Sequence, residues 1–498
     1  MMDASNIHWT ALWVFLFFFV LVTVLGFMAS KWMAGPSNKG AHLDEWGLGG
    51  RNFGTWITWF LVGGDFYTAY TVIAVPALVY AVGAYGFFAL PYTILVYPIV
   101  FVIMPKLWHA AHKAGHVTAA DVVWGRYQSR PLEFAVALTG VVATMPYIAL
   151  QLIGMEVVIK ALGMSGELPL LAAFVILALY TYSAGLRAPA LIAFVKDIMI
   201  YIVVLVAVVV VPAKLGGYGA VFNSARDAFA LKGGATGLTL KPTQFLPFAT
   251  LALGSALAAF MYPHTLTGIF AAKDANTIRK NAVFLPAYTV LLGLIALLGY
   301  MAYAAGIKVQ ANNDVVPALF NTLFPGWFAG FAFAAIAIGA LVPAAVMSIG
   351  ASNLFTRNFW KPYVSPGISH EGEAKVAKVV SLVVKFGALI FILFLPTKFA
   401  LDLQLLGGVW ILQTFPALVF GLFVGWFGAR ALLCGWAVGI VGGSWLAFID
   451  GIKPVHSFIV GDQTYTLYTG LIALALNVVV AVLANLVLGK GSQPALKR

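Results

Sequence analysis

The chain has 498 residues, of which 62% are hydrophobic and only 9% charged. A soluble protein would carry about 25% charged residues, so this composition excludes a water-soluble enzyme and describes a polytopic membrane protein. At roughly 20 apolar residues per helix, the length accommodates about a dozen spans joined by short loops. Unbroken apolar runs also exclude a β-barrel, whose segments alternate apolar and polar residues. The single cysteine, Cys434, permits no internal disulfide.

An all-α fold of about thirteen transmembrane helices is predicted. The spans are 9–32, 56–82, 86–106, 131–159, 168–184, 190–213, 245–270, 282–306, 327–355, 377–396, 401–426, 430–449 and 466–488. The first has no Lys or Arg before Lys31 and is long for a signal peptide, so it reads as a retained helix. An odd count puts the termini on opposite sides. With the N-terminus outside, Lys160, Lys214, Arg226, Lys232, Lys241, Lys308, Lys398 and Lys453 face out, and Lys196 and Lys385 fall within spans. The other nineteen of the 29 basic residues are then cytoplasmic, which predicts N-terminus out and C-terminus in. The net charge of +12 is thus a topology signal and requires no nucleic acid.

Two spans are interrupted. The second carries Gly63-Gly64-Asp65 at about mid-depth, and the seventh carries Tyr262-Pro263-His264. Freed backbone groups are tolerated at that depth only where they line a cavity or a site. Asp65 is a cation or proton site, a pole of a substrate site, or a cap on the broken half-helix. Tyr67, Thr68 and Tyr70 offer hydroxyls beside the break; interhelical hydrogen bonding explains them nearly as well. His264 is either a satisfied core residue or, given its midspan depth, a proton or substrate contact. Gln151 and Gln413 suit a small polar substrate or helix–helix adhesion. Glu156 is spaced to pair with Lys160 at i+4. Lys196 and Asp197, being adjacent, are not expected to face each other, and Lys196 is expected to snorkel from an inner helix end. Lys385 calls for an unidentified carboxylate. His109, His112 and His116 read as a solvated basic loop, with no metal site. There is no G-x-x-x-x-G-K-[ST], no H-E-x-x-H, no Arg ladder and no T-V-G-Y-G filter, which argues against an ATP-driven pump, a zinc protease, a voltage sensor and a potassium channel.

Several motifs resemble the sodium:solute symporter family. They are Glu45-Trp-Gly-Leu-Gly-Gly-Arg-Asn-Phe-Gly54, Ala184-Gly-Leu-Arg-Ala188 with Lys196-Asp197, and above all Met261-Tyr-Pro-His264 followed by Ala271-Ala-Lys-Asp-Ala-Asn-Thr-Ile-Arg-Lys280. Within that family, Gly64-Asp-Phe-Tyr-Thr-Ala-Tyr-Thr-Val-Ile-Ala-Val-Pro76 looks most like the bacterial monocarboxylate permeases. The resemblance implies a LeuT-like five-plus-five inverted repeat. One helix (1–32) precedes the repeats (56–213 and 245–426), and two helices with a short tail (430–498) follow. It places the substrate between the second, fourth, seventh, ninth and eleventh spans, on Tyr67, Thr68, Tyr147, Gln151, His264, Trp410 and Gln413. Sodium-coupled members hold their cation between carbonyls of the broken second span and a Ser/Thr pair on the ninth. Here Val342 and Pro343 stand at that pair, and a register slip would bring up Ser348 or Ser352 instead. Sodium coupling is therefore in doubt, and Asp65 or His264 becomes a candidate for proton coupling.

The expected function is uptake of pyruvate, lactate or a similar short monocarboxylate across the inner membrane by cation-coupled alternating access, with H⁺ favoured over Na⁺. The expected protein has no enzymatic activity and no cofactor besides the coupling cation, and a monomer is the starting expectation. The alternatives are a Na⁺ symporter of a neutral or zwitterionic solute and, less favoured, a channel or a membrane sensor.

Overall fold

The structure is a computed structural model that describes residues 7–31, 42–65, 67–164, 168–233, 236–394 and 400–489. The expected short C-terminal tail lies outside the described residues. The chain opens with α1 (Trp9–Met28), the short α2 (Leu43–Leu48) and α3 (Thr55–Thr58). After a break come α4 (Val75–Val82), α5 (Ala89–Ala114), α6 (Ala119–Tyr127), α7 (Arg130–Ala161), α8 (Leu168–Ala184) and α9 (Arg187–Lys214). The middle holds α10 (Tyr218–Leu231), α11 (Pro242–Ala259), α12 (Pro263–Ala271), α13 (Ala275–Phe284), α14 (Pro286–Ala304) and α15 (Val315–Leu323). Then follow α16 (Gly326–Phe355), α17 (His370–Phe394), α18 (Ala400–Ile411), α19 (Gly421–Phe423), α20 (Ala429–Ile449) and α21 (Thr469–Leu488). Between the last two, β1 (Val455–Val460) and β2 (Gln463–Tyr468) form an antiparallel hairpin pairing Val455 with Tyr468, a departure from the expected all-helical chain.

Among the described residues, nine helices are long and apolar enough to cross a membrane, and the bent pair α11–α12 makes a tenth. Tyr70–Val82 and Leu168–Ala184 are shorter apolar helices, so length and composition alone do not reach thirteen. The helix ends follow local chemistry. Thr118 and Asp121 form a reciprocal capping box at α6, and Ser129 and Asp274 cap α7 and α13.

The bundle is built around α16, whose most apolar stretch is wholly buried against α7, α1, α9, α17 and α12. Lipid is as apolar as Leu, so close helix approach relies on small residues. A Cβ at Gly330 would lie 2.3 Å from the Ala11 carbonyl oxygen of α1, and one at Gly350 2.9 Å from Pro263 at the start of α12. The pair α20–α21 packs at the periphery on α18.

One end of the bundle is closed by a polar lattice. Asn358 donates to Asp121 (2.7 Å) and Glu133 (2.8 Å) and accepts from the Thr118 hydroxyl (2.7 Å). Arg357 joins Asp121 at 3.5 Å to Glu373 at 2.7 Å, and Lys361 also donates to Glu373. Burial would push the Glu373 carboxyl up, but the hydrogen bonds and charges of Lys361 and Arg357 outweigh it and hold it below its ordinary value. A depressed carboxyl contributes stability above the ordinary carboxylate range and loses it as pH falls through its own pKa. The melting temperature in detergent should therefore fall as pH drops below about 4.5, and Glu373→Gln should flatten that response while costing about 2 kcal/mol at neutral pH.

Candidate functional site

The second span is not a continuous helix. α3 widens into a π-turn over Trp59–Gly63, helical hydrogen bonding lapses around Asp65, Tyr67 and Thr68, and a second π-turn, Tyr70–Ala74, leads into α4. The freed amides find specific partners. The Ala69 N–H donates to Gln151 Oε1 of α7 at 3.0 Å, the Tyr70 N–H to Thr68 Oγ1 at 3.0 Å and the Tyr67 N–H to the Gly64 carbonyl at 3.0 Å. Close approach of α7 depends on Gly154, where a Cβ would lie 2.2 Å from that of Ala69.

The second break separates α11 from α12 with a bend of 47°. Pro263 opens α12 at the position where its missing N–H costs nothing, and no side chain caps that N-terminus. The two breaks meet where His264 Nε2 lies 3.3 Å from Asp65 Oδ2, both side chains being buried. The Thr265 side chain reaches the same carboxylate. Tyr147 and Tyr262 wall the imidazole at ring distances of 5.4 and 5.2 Å, and Tyr147 hydrogen-bonds the Thr68 side chain. Among the described residues Asp65 Oδ1 and His264 Nδ1 have no hydrogen-bond partner. A carboxylate and an imidazole at this separation can hold and exchange a proton, and their unpaired atoms can meet a polar guest.

Of the residues singled out from the sequence, Asp65, Thr68, Tyr147 and His264 converge here. Gln151 is one layer back, holding the break. Tyr67 turns its hydroxyl to the carbonyl of Tyr288 in α14 and packs at a tilt against that ring, 4.7 Å between centroids. Trp410 and Gln413 face elsewhere. Trp410 donates to Ser444 of α20 (3.0 Å), while Gln413 accepts from Asn477 of α21 (3.1 Å) and donates to Val409 (2.9 Å). Their polarity is spent on fastening α20 and α21 to α18, the adhesion alternative. Ser348 and Ser352 each donate to a carbonyl of their own helix, Ala345 and Ile349, at 2.8 and 2.9 Å. Glu156 pairs with Lys160 at 2.5 Å, as its spacing allowed.

Two expectations are overturned. Lys196 does not snorkel and does face its neighbour. It is fully buried in α9, pairs with Asp197 Oδ1 at 2.9 Å and donates to backbone carbonyls of the broken second span. A long, flexible side chain can fold back across one residue when the alternative is an unpaired charge in hydrocarbon. Lys385 is equally buried, but its Nζ reaches only the Ser381 carbonyl at 3.5 Å, and no carboxylate among the described residues pairs with it.

Sequence reasoning also missed Tyr288, whose hydroxyl donates to Asp197 Oδ2 at 2.6 Å. Nothing marks it within its apolar span. A crevice is lined by Gly140, Met261, Pro263, Thr267, Asn353 and Thr414, of which only Met261 and Pro263 stood in a motif singled out from the sequence.

Two broken helices crossing at a buried polar pair, wrapped around a central helix, define a LeuT-like transporter architecture. The sequence profile of the sodium:solute symporter family matches residues 46–439, and the chain belongs to that family. It is 70% identical over 484 residues to a monocarboxylate transport permease protein of Rhizobium johnstonii, covering 97% of this chain and 98% of that one. The uncharacterized symporter YodF of Bacillus subtilis is 32% identical over 497 residues, covering 98% and 96%. Among solved structures, a substrate-bound, outward-open Na⁺-coupled sialic acid symporter matches with a TM-score of 0.79 at 15% identity over 97% of this chain and 99% of that chain, a likeness of fold.

The roles of the two glutamines are separable. Gln151→Leu leaves the Ala69 N–H unpaired, at a cost of about 1–3 kcal/mol, and should raise the KM for substrate several-fold. Gln413→Leu should lower the melting temperature and leave KM unchanged; a KM shift in Gln413→Leu alone would reverse the assignment.

Proposed function

We propose that this chain imports a short-chain monocarboxylate, pyruvate or lactate in class, by alternating access, with a proton as the coupling cation. The substrate class is supported by the relative named a monocarboxylate transport permease, and the coupling by the Asp65–His264 pair at the meeting point of the two breaks. The protein would sit in the inner membrane with its N-terminus outside and its C-terminus in the cytoplasm, working as one chain. The first repeat would comprise 56–213 and the second 245–426.

An unpaired charge at mid-membrane costs about 2.5–3.5 kcal/mol on insertion scales, so a carboxylate must be met by donors and positive dipole ends. The hydroxyls of Thr68 and Tyr147, the imidazole of His264 and the uncapped N-terminus of α12 supply them. In this reading Tyr67 and Gln151 shape the break behind those donors, while Trp410 and Gln413 have no part in binding. A proton carried on the Asp65–His264 pair cancels the substrate's charge during passage. Ser348 and Ser352 contribute no cation ligand, their hydroxyls being committed to α16 carbonyls.

Proteoliposomes under either an inward pH gradient or an inward Na⁺ gradient test this. Labelled pyruvate should accumulate above equilibrium with acid outside, and Asp65→Asn should abolish accumulation while leaving exchange at equal pH. Accumulation driven by Na⁺ alone would instead establish the sodium-symport alternative. Flux far above carrier rates with no accumulation would indicate a channel.

A further inference from the structure

Two of the carbonyl oxygens at the break in the second span are already occupied. Lys196, well inside α9, directs its ammonium at the Gly64 and Tyr67 carbonyls, the latter at 3.2 Å. It also forms an ion pair with Asp197 Oδ1 at 2.9 Å. The ammonium thus donates to two backbone carbonyls and is charge-paired with the adjacent carboxylate. Asp197 is fixed in turn by the Tyr288 hydroxyl at 2.6 Å, and Tyr67 donates to the Tyr288 carbonyl, so the break, α9 and α14 form one closed circuit. Gly64 makes room for it. A Cβ there would lie 2.5 Å from Asp197 Oδ2 and 2.9 Å from the ammonium.

The facing helix offers no oxygen. α16 passes the break at Gly339, whose Cβ direction ends 3.8 Å from the Tyr67 carbonyl oxygen. The residues one turn on, along the same face, are Val342 and Pro343, both buried and without hydroxyls. Ser348 lies nine residues from Gly339, about 180° around the helix, so a shifted register does not restore the missing ligands.

We infer that the Lys196 ammonium is a tethered cation occupying the Gly64 and Tyr67 carbonyls, so this chain keeps a positive charge at the break without taking up sodium there. This rests on the reading of the chain as a cation-coupled carrier and deepens it. The broken span keeps a fixed positive charge beside it in every transport cycle, and the ion gradient has to act elsewhere.

The test contains no monocarboxylate, so a wrong substrate class leaves it intact. Purified protein is melted in NaCl and in choline chloride of equal ionic strength. The wild type should show no Na⁺-selective shift. Lys196→Ala uncovers two carbonyls and the Asp197 carboxylate, so it should melt lower in choline and recover by about 3 °C in saturating Na⁺. A wild type selectively stabilised by Na⁺, or a monodisperse Lys196→Ala indifferent to it, overturns the inference. Should Lys196→Ala fail to fold, radiolabelled sodium binding to the wild type decides. No displaceable binding upholds the tethered cation, and one site per chain removes it.

Discussion

Everything at the centre of this protein depends on one constraint: a helix that breaks inside a bilayer must have its backbone groups satisfied by protein, since no water is there to do it. The break after Gly63 releases amides and carbonyls together, and the two kinds are handled from opposite sides. Gln151 of α7 takes the Ala69 amide, and Lys196 of α9 takes the Gly64 and Tyr67 carbonyls. Small residues set the clearance, with Gly154 admitting the first contact and Gly64 the second. The break is therefore held between two helices, which is what allows an unwound segment to persist at that depth.

That bracing leaves Asp65 and Thr68 free to look toward the second break. Pro263 ends one half-helix and begins another, so His264 emerges at the first turn of α12 beside the Asp65 carboxylate. The aromatic wall of Tyr147 and Tyr262 keeps the pair from lipid, and α16 backs both breaks, touching the first at Gly339 and the second at Gly350. Glycine at those two points is what lets both breaks pack closely against α16.

A resident ammonium and an exchangeable ion differ in what they make of the same carbonyls. Sodium can leave, so its binding energy reports the outside concentration and biases the conformational equilibrium. A lysine bound to its own backbone cannot leave, and it stabilises the break equally on either side of the membrane. Val342 and Pro343 of α16 are buried and carry no hydroxyl, and the buried Lys196 supplies the positive charge that the carbonyls of the break meet.

The apolar periodicity, the glycine and proline interruptions and the basic loops together determined the membrane class, the places where helices run and the two points where they fail, because hydropathy and backbone geometry are local properties. Asp65 and His264 were legible for the same reason: a titratable group in an apolar span stands out wherever it lies. What lay beyond the sequence was direction. Gln151 and Gln413 look alike in the chain, yet one braces the break and the other fastens α18 to α21. Lys196 looked like a residue reaching for the membrane surface, and Tyr288 like any aromatic in a span. Only the packing of α9 and α14 against the break, which brings Tyr288 to within a hydrogen bond of a residue 91 positions away, decided that these side chains point inward and close on one another.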